Sequence, residues 1–132
     1  MLTQDELKTI KDGIVKIEDE IRSLTDQKRD LRQKLVTNAL EIVDAKFPGL
    51  NPGDKVRVTY QTIDWWSMKP KGEVTEVLYF QERNVSGNWS VIDASTKDVY
   101  YNFFLVKKDG TPSKRRTSLW FEHILSIEKV TE

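Results

Sequence analysis

A heptad repeat over residues 7–42 constrains this chain more than any other feature of its sequence. Apolar residues recur at alternating spacings of three and four, which is the a/d pattern of a coiled-coil helix. Nine of the eleven positions are leucine or isoleucine, and the other two are Lys28 and Asn38. The apolar positions, called here the heptad stripe, are Leu7, Ile10, Ile14, Ile17, Ile21, Leu24, Leu31, Leu35 and Ile42.

The pattern predicts a long N-terminal helix that needs a partner helix. Thr3 and Glu6 have the spacing of a capping box, and no proline precedes Pro48. One helix over residues 4–46 would be about 65 Å long at about 1.5 Å per residue. A β domain of about 80 residues is only about 25–30 Å across, so it cannot cover such a stripe.

Two arrangements of the helix would bury the heptad stripe against another helix. One is a continuous helix that forms a coiled coil with further copies of the chain, and the other is a hairpin that folds back near Ser23–Asp26. The absence of glycine and proline there, and a stripe that stays in phase, favour the continuous helix and a homo-oligomer. Isoleucine at both a and d in the first half favours three or four chains, and Lys28 and Asn38 are expected to set register.

The composition changes near residue 48, where the second part of the chain begins. Twelve of the 13 aromatic residues follow Pro48, and Phe47–Asp54 holds two prolines and two glycines. We therefore expect an oligomerisation helix over 1–47, a linker over 48–54 and an antiparallel β-barrel domain over 55–132, which makes the fold class α+β. The predicted strands are Lys55–Ile63, Glu73–Gln81, Trp89–Ile92, Val99–Lys108, Lys114–Phe121 and Ile124–Val130, with turns at Asn84–Asn88 and Asp109–Ser113.

Two short segments carry a resemblance to a known fold. GDKVRV (Gly53 to Val58) and KGEVTEV (Lys71 to Val77) resemble the opening strands of SH3-like barrels of the KOW or Tudor kind. The loop between them, Thr62–Pro70, is longer than the one in a KOW motif. The resemblance implies a small antiparallel barrel that binds a ligand and does not turn one over.

The sequence offers few residues that could catalyse a reaction or bind a metal ion. There is one histidine, His123, and no cysteine, so the usual catalytic triads and structural zinc sites lack their residues. No phosphate-binding loop or dinucleotide fingerprint is present. We expect a non-enzymatic protein with no cofactor. The absence of a signal peptide, a membrane-spanning segment and cysteine leads us to expect a cytoplasmic protein without membrane contact.

Five basic residues and one aromatic strand mark the candidate ligand site. Lys107, Lys108, Lys114, Arg115 and Arg116 lie on both arms of a predicted hairpin, where like charges repel unless they meet an anion. VYYNFFLV (Val99–Val106) has apolar side chains on both faces, and its second face, with Tyr100, needs a helix, a subunit or a ligand to cover it. The interpretation that needs no ligand is packing on the N-terminal helix or on another subunit.

The adjacent Trp65 and Trp66 complete the candidate site. Neighbouring residues of a strand point to opposite faces, so at most one of the two is expected to enter a single core. We expect one to close the mouth of the barrel and the other, beside Met68, to lie on the second apolar surface. Packing of both tryptophans into the core through an irregular loop is the alternative.

These features predict a non-enzymatic oligomeric protein whose β domain binds nucleic acid or a phosphate-bearing nucleotide. Residues 51–132 carry 12 Lys and Arg against 11 Asp and Glu, so their charge favours a local anion pocket over a long polyanion track. The alternative is a protein-binding inhibitor, adaptor or assembly module of the phage or mobile-element type. A narrower version is a sponge that sequesters a signalling nucleotide between subunits.

Overall fold

A computed structural model of the chain describes residues 1–86 and 95–131. It contains one long helix followed by antiparallel strands, which confirms the predicted α+β class. The predicted strand Trp89–Ile92 lies outside the described residues. The elements are α1 (Gln4–Lys46), β1 (Lys55–Ile63), β2 (Pro70–Val85), β3 (Val99–Val106), β4 (Pro112–Trp120) and β5 (Ile124–Lys129), with 3-10 turns at Thr96–Asp98 and Phe121–His123.

Helix α1 is continuous, so the alternative of a hairpin near Ser23–Asp26 is wrong. Without glycine or proline in that stretch, nothing in the backbone interrupts the helical hydrogen bonds. Thr3 caps the start of the helix by accepting a hydrogen bond from the Glu6 amide at 3.2 Å. The Glu6 carboxylate bonds the Thr3 hydroxyl, where a full capping box would have it accept from the Thr3 amide.

The chain forms two compact units, Met1–Lys34 and Leu35–Glu132. In the first unit the heptad stripe is exposed, and its apolar side chains from Leu7 to Leu31 are between 40% and 63% accessible. These are large aliphatic side chains in a regular row, which is the arrangement that burial against another helix would stabilise.

In the second unit the five strands form one antiparallel sheet in the order β4-β3-β2-β1-β5. Strands β1 to β4 follow one another as a meander, and β5 returns to pair with β1. The 3-10 turn Phe121–His123 makes the connection from β4 to β5. This small sheet after a long helix is compatible with an SH3-like fold.

The last turns of α1 form part of the core of this unit. Ala39, Val43 and Phe47 are buried with the inward side chains of the sheet. Phe47 makes an edge contact with Tyr101 of β3, with ring centroids 5.9 Å apart. The buried residues of the sheet are Val56, Val58, Leu78, Phe80, Val99, Tyr101, Phe103 and Ile124.

The face of α1 that meets the sheet is displaced by one residue from the heptad stripe. Ala39 and Val43 are buried, whereas the preceding Asn38 and Ile42 are exposed, Ile42 by 50%. Adjacent residues are about 100° apart around a helix, so the two faces are distinct. The chain's own sheet therefore leaves the stripe uncovered at Ile42.

The segment between α1 and β1 is hydrogen-bonded to the sheet. Gly53 donates to the Phe80 carbonyl and Phe80 donates to the Asp54 carbonyl, each at 2.8 Å. The Asp54 carboxylate accepts from the Asn51 amide at 2.8 Å and pairs with Lys129 at 3.2 Å. These bonds, led by the one from Asn51, lower the pKa of Asp54. The positive φ of 93° explains why glycine occupies position 53.

We expect Val43→Ala to reduce the free energy of unfolding by about 2 kcal/mol, because it opens a cavity where α1 meets the sheet. The matched control is Val74→Ala, since Val74 is 37% exposed and its truncation removes little buried area. Urea denaturation followed by circular dichroism measures both variants. Equal losses for the two would contradict the packing of α1 on the sheet.

Tyr60 makes stability sensitive to alkaline pH. Its hydroxyl donates to Glu76 on the neighbouring strand. Burial of the phenol is the larger cause and this hydrogen bond the next, and together they raise the pKa of Tyr60 to about 12. The pKa of an unfolded tyrosine is about 10, so the stabilisation of the folded state by Tyr60 is complete below about pH 10 and is lost as the pH rises toward about 12. Urea denaturation at about pH 9 and about pH 11 should show a smaller loss in Tyr60→Phe than in the wild type; an identical loss would remove Tyr60 as the cause.

Candidate functional site

The outer side of strands β2, β3 and β4 carries two aromatic rows. Tyr100 pairs with Trp120 across β3 and β4, and the two rings meet edge to face at 5.7 Å. Phe104 pairs with Arg116, whose guanidinium lies 5.2 Å from the centre of the Phe104 ring. Such a contact is a cation–π interaction, and it holds the arginine against the sheet.

A polar row separates the two aromatic rows. Asn102 donates from its side-chain amide to Glu82 of β2 at 3.2 Å and accepts from the Ser118 hydroxyl of β4. These two hydrogen bonds link the side chains of Glu82, Asn102 and Ser118 across β2, β3 and β4. All three residues are exposed or half-exposed. We call the surface formed by Tyr100, Asn102, Phe104, Arg116, Ser118 and Trp120 the aromatic face.

The expectation that the chain's own helix covers this second face of β3 is wrong. The helix packs on the opposite side, where Val99, Tyr101 and Phe103 are buried with Ala39 and Val43. Trp120 remains 44% exposed on the aromatic face. Successive residues of β3 alternate between the two faces of the sheet, so the odd-numbered Val99, Tyr101 and Phe103 lie on the helix side and the even-numbered residues face away from it.

The basic residues of the hairpin are exposed and divide between the two faces of β4. Arg116 lies on the aromatic face, and Lys114 is exposed two residues before it, where the pairing of β4 with β3 changes register. Arg115 points to the opposite face, as its alternation with Arg116 predicts. Lys107 and Lys108 lie in the turn between β3 and β4, beyond the end of the aromatic face.

The turn after β3 confirms the predicted hairpin, although it begins two residues earlier than expected. Lys107 donates to the Thr111 carbonyl at 2.8 Å, and Gly110 donates to the Lys107 carbonyl at 2.9 Å. The Asp109 carboxylate accepts from the Thr111 hydroxyl and amide, and these two bonds lower the pKa of Asp109. Tyr79 of β2 donates its hydroxyl to the Gly110 carbonyl, which ties the turn to the sheet.

Both tryptophans of the β1–β2 loop are exposed, and the expectation that one of them closes the barrel is wrong. Trp65 is 85% exposed, Trp66 98% and Met68 69%. The loop closes on Asp64, whose carboxylate accepts from the Trp66 amide at 3.0 Å and whose carbonyl accepts from Met68 at 2.7 Å. This tight turn, with Met68 at a φ of 57°, keeps the indoles away from the core.

The loop lies at the end of a two-stranded projection, the hairpin arm, which we define as residues 61–73. Among the described residues, β5 pairs with β1 only as far as Tyr60, and β3 pairs with β2 only from Tyr79 onward. Within the arm β1 and β2 pair only with each other, and residues 65–73 are exposed. The predicted turn at Asn84–Asn88 also begins too early, since β2 continues to Val85.

The structure does not bring the two tryptophans together with the basic hairpin. Phe104 pairs with Tyr79, so β3 ends near the level of Val77 on β2. Strand β2 continues from there back to Pro70, a distance of about 23 Å at about 3.3 Å per residue. The predicted ligand residues therefore divide into the aromatic face with its basic neighbours and the tip of the hairpin arm.

Other candidate chemistry is sparse in the part of the chain that the structure describes. His123 is half-buried in the 3-10 turn before β5, 3.6 Å from the Glu122 carboxylate. No group of three or more histidine, cysteine or acidic residues that could hold a metal ion occurs among the described residues. Within the same residues, no helix is long and apolar enough to cross a membrane.

The sequence interpretation missed Trp120, Asn102 and Ser118 as parts of the aromatic face. The period of two along β4 could have found Ser118 and Trp120, because counting in twos from Arg116 reaches both. Asn102 is the one polar residue of VYYNFFLV, and the sequence does not indicate what it contacts. Its role in the polar row depends on the pairing of β3 with both neighbours, which the sequence alone does not specify.

Comparison with known proteins found no family model and no curated protein that matches this chain.

The exposure of the arm can be measured by fluorescence quenching. We expect Trp66→Phe to remove more acrylamide-quenchable emission than Trp120→Phe, because Trp66 is 98% exposed and Trp120 is 44% exposed. Stern–Volmer plots of the two variants and the wild type give the comparison. If Trp66→Phe removed less quenchable emission than Trp120→Phe, the tip of the arm would be covered in solution.

Proposed function

We propose that this chain is a non-enzymatic homo-oligomeric binding protein whose aromatic face binds single-stranded nucleic acid or a phosphate-bearing nucleotide. The observation that carries the proposal is the contact of the Arg116 guanidinium with the Phe104 ring beside the Tyr100–Trp120 pair, in which Tyr100 is half-buried and Trp120 is exposed. Planar rings and a positioned cation on one surface offer both a stacking platform for bases and a partner for phosphate.

Oligomerisation rests on the heptad stripe. Seven of its side chains between Leu7 and Leu31 are 40% to 63% exposed, and Ile42 remains exposed although its neighbour Val43 is buried. A second copy of the chain offers the same periodic row, and burying one aliphatic side chain contributes about 1.5–3 kcal/mol. In a parallel pair, Glu6 of one helix would meet Lys11 of the other at the g and e positions, a favourable pair of charges.

Ligand recognition at the aromatic face would divide among its rows. The Tyr100–Trp120 row offers an indole and a phenol ring for stacking, worth about 1–3 kcal/mol per base. Arg116 would neutralise a phosphate while its guanidinium stays stacked on Phe104, with the exposed Lys114 two residues away. Asn102 and Ser118 lie between these rows and carry donors and acceptors that suit the edge of a base.

The charge of the chain favours a short ligand over a long duplex. Its Lys and Arg residues equal its Asp and Glu residues at 21 each, and Glu82 lies in the middle of the aromatic face. A protein that tracks a duplex backbone normally presents an extended basic surface. Stacking on a few exposed bases with one or two phosphate contacts needs much less positive charge.

The hairpin arm favours a second candidate function, a protein-binding adaptor or inhibitor. Trp65, Trp66 and Met68 are presented on a turn that Asp64 closes with two hydrogen bonds, so little ordering remains for binding. Tryptophan is the residue most enriched at hot spots of protein interfaces. The resemblance of the opening strands to KOW and Tudor barrels suits either function, since it implies binding without turnover.

Ile14→Asp should convert the oligomer to a monomer, because it places a charge in the heptad stripe. The matched control is Val15→Asp, which introduces the same charge one residue away and off the stripe. The two side chains are 50% and 54% exposed, so exposure within one chain does not distinguish them. Sedimentation velocity measures the outcome, and loss of the oligomer in both variants or in neither would contradict association through the stripe.

Arg116→Ala should weaken binding of a short fluorescein-labelled oligothymidylate at least about tenfold, from the loss of a phosphate contact and of the stacked cation. Arg115→Ala is the matched control, because it removes the same charge on the adjacent residue of the opposite face. Fluorescence anisotropy at several salt concentrations gives the affinity and its salt dependence. Adenosine 5′-monophosphate as competitor tests whether a single nucleotide suffices.

Equal weakening in both arginine variants would indicate nonspecific attraction and would contradict a site on the aromatic face. No binding by the wild type would contradict the nucleic-acid proposal and favour the adaptor. In that case the affinity for a partner protein should depend on Trp66 and only weakly on salt concentration, because salt screens attraction between charges and does not screen contacts between apolar side chains.

A further inference from the structure

A pocket of about 330 Å³ lies on the outer side of the sheet and shares Phe104 with the aromatic face. Tyr79 of β2 and Phe104 of β3 pair directly, so these two lining residues present their rings on the same side. Two further walls are formed by Pro52 and Gly53, before β1, and by Pro112 and Ser113, at the start of β4. We call this space the Phe104 pocket. An apolar cavity of about 150 Å³ accommodates benzene, so this one has room for a purine-sized ring system.

Both walls that come from outside β2 and β3 are hydrogen-bonded to β2. Gly53 donates to the Phe80 carbonyl at 2.8 Å, which holds the segment before β1 in place. The Tyr79 hydroxyl donates to the Gly110 carbonyl, in the turn that leads into β4. The fold therefore fixes the walls of the pocket, and little ordering of the protein would oppose binding.

The walls suit the faces of a planar ring. They consist mainly of aromatic rings and prolines, which are flat apolar surfaces on which a ring can stack. Few polar groups are available to read the edge of such a ring. The Tyr79 hydroxyl is already bonded, Ser113 Oγ accepts from the Arg115 amide at 2.9 Å, and Gln81 Oε1 has almost no accessible surface.

Three exposed cations adjoin the pocket on the side of β3 and β4. The guanidinium of Arg116 lies 5.2 Å from the centre of the Phe104 ring. Lys114 follows the lining residue Ser113, and Lys107 lies in the turn between the two strands. None of the three cations forms an ion pair within the described part of the chain.

The neighbouring acidic residues do not outweigh these cations. The Asp54 carboxylate pairs with Lys129 at 3.2 Å. Glu82 and Asp109 each accept a hydrogen bond from a nearby side chain and are the two carboxylates that remain. Three cations against two carboxylates leave an excess of positive charge, which complements a ring that carries an anionic group.

We propose that the Phe104 pocket holds the base of a single nucleoside 5′-monophosphate while Arg116 binds its phosphate, a proposal that rests on the function proposed above. The Phe104 ring lines the pocket and also contacts the guanidinium, so it joins the two parts of the site. A base and its 5′-phosphate are connected through one ribose, which places the phosphate close to the ring that the base stacks on. The polar edge of the base would stay largely in water.

The test follows the full ¹⁵N-labelled chain by NMR while adenosine 5′-monophosphate is added. Saturable shifts should appear at the amides of residues 52–53, 79–81, 104 and 112–116. Adenosine should shift the same amides except that of Arg116, and should bind at least about tenfold more weakly because the charged contact is lost. Guanosine and uridine 5′-monophosphates should bind within about fivefold of the adenosine form, because stacking tolerates any base.

Saturable shifts confined to amides near Tyr100 and Trp120 would overturn the pocket and leave the rest of the aromatic face as the binding surface. Binding of oligothymidylate without binding of any mononucleotide would overturn it in the same way, whereas absence of both would also contradict the proposed function. Equal affinity for adenosine and its monophosphate would overturn the contact of the phosphate with Arg116. Shifts at the pocket amides with a short proline-rich peptide, and none with a mononucleotide, would reassign the pocket to a peptide and overturn the proposal.

Ser113→Phe provides the matching change in the protein, because it places a ring inside the pocket. The affinity for adenosine 5′-monophosphate should fall at least about tenfold, the loss expected when a base can no longer stack. Ser23→Phe is the matched control, since it makes the same substitution at an exposed position of α1 outside the heptad stripe. Circular dichroism checks that both variants fold, and equal affinities of the two variants would overturn the proposal.

Discussion

The packing of the last turns of α1 against the sheet determines how the rest of the molecule is organised. Ala39, Val43 and Phe47 complete a core that the five strands alone would leave open on one side. The same contact fixes which side of β3 is inward. Tyr101 is buried beneath the helix, and Tyr100 is consequently presented on the outer aromatic face.

The displacement of one residue between the buried face of α1 and the heptad stripe has a direct consequence for assembly. Here Val43 serves the core and Ile42 remains on the stripe. If chains associate through the stripe as proposed, core packing and association would use different faces of one helix, and a substitution on one face need not disturb the other.

Local patterns predicted much of this fold. The heptad spacing and the absence of helix breakers predicted α1, and the alternation in Lys55–Ile63 predicted β1. The prediction that one of Trp65 and Trp66 enters the barrel was wrong, because side chains alternate between two faces only while a strand continues. Asp64 ends the strand by accepting two backbone bonds, and the loop then follows its own hydrogen bonding. Arg83, which pairs with Asp44 across 39 positions of sequence, is likewise invisible to local patterns.

Native mass spectrometry of the purified full chain at micromolar concentration would show whether chains associate through the heptad stripe. We expect a defined multiple of the 15.4 kDa chain that dissociates on denaturation. A 15.4 kDa species alone at that concentration would contradict association through the stripe. It would mean that the exposed leucine and isoleucine side chains of α1 do not bind a second copy.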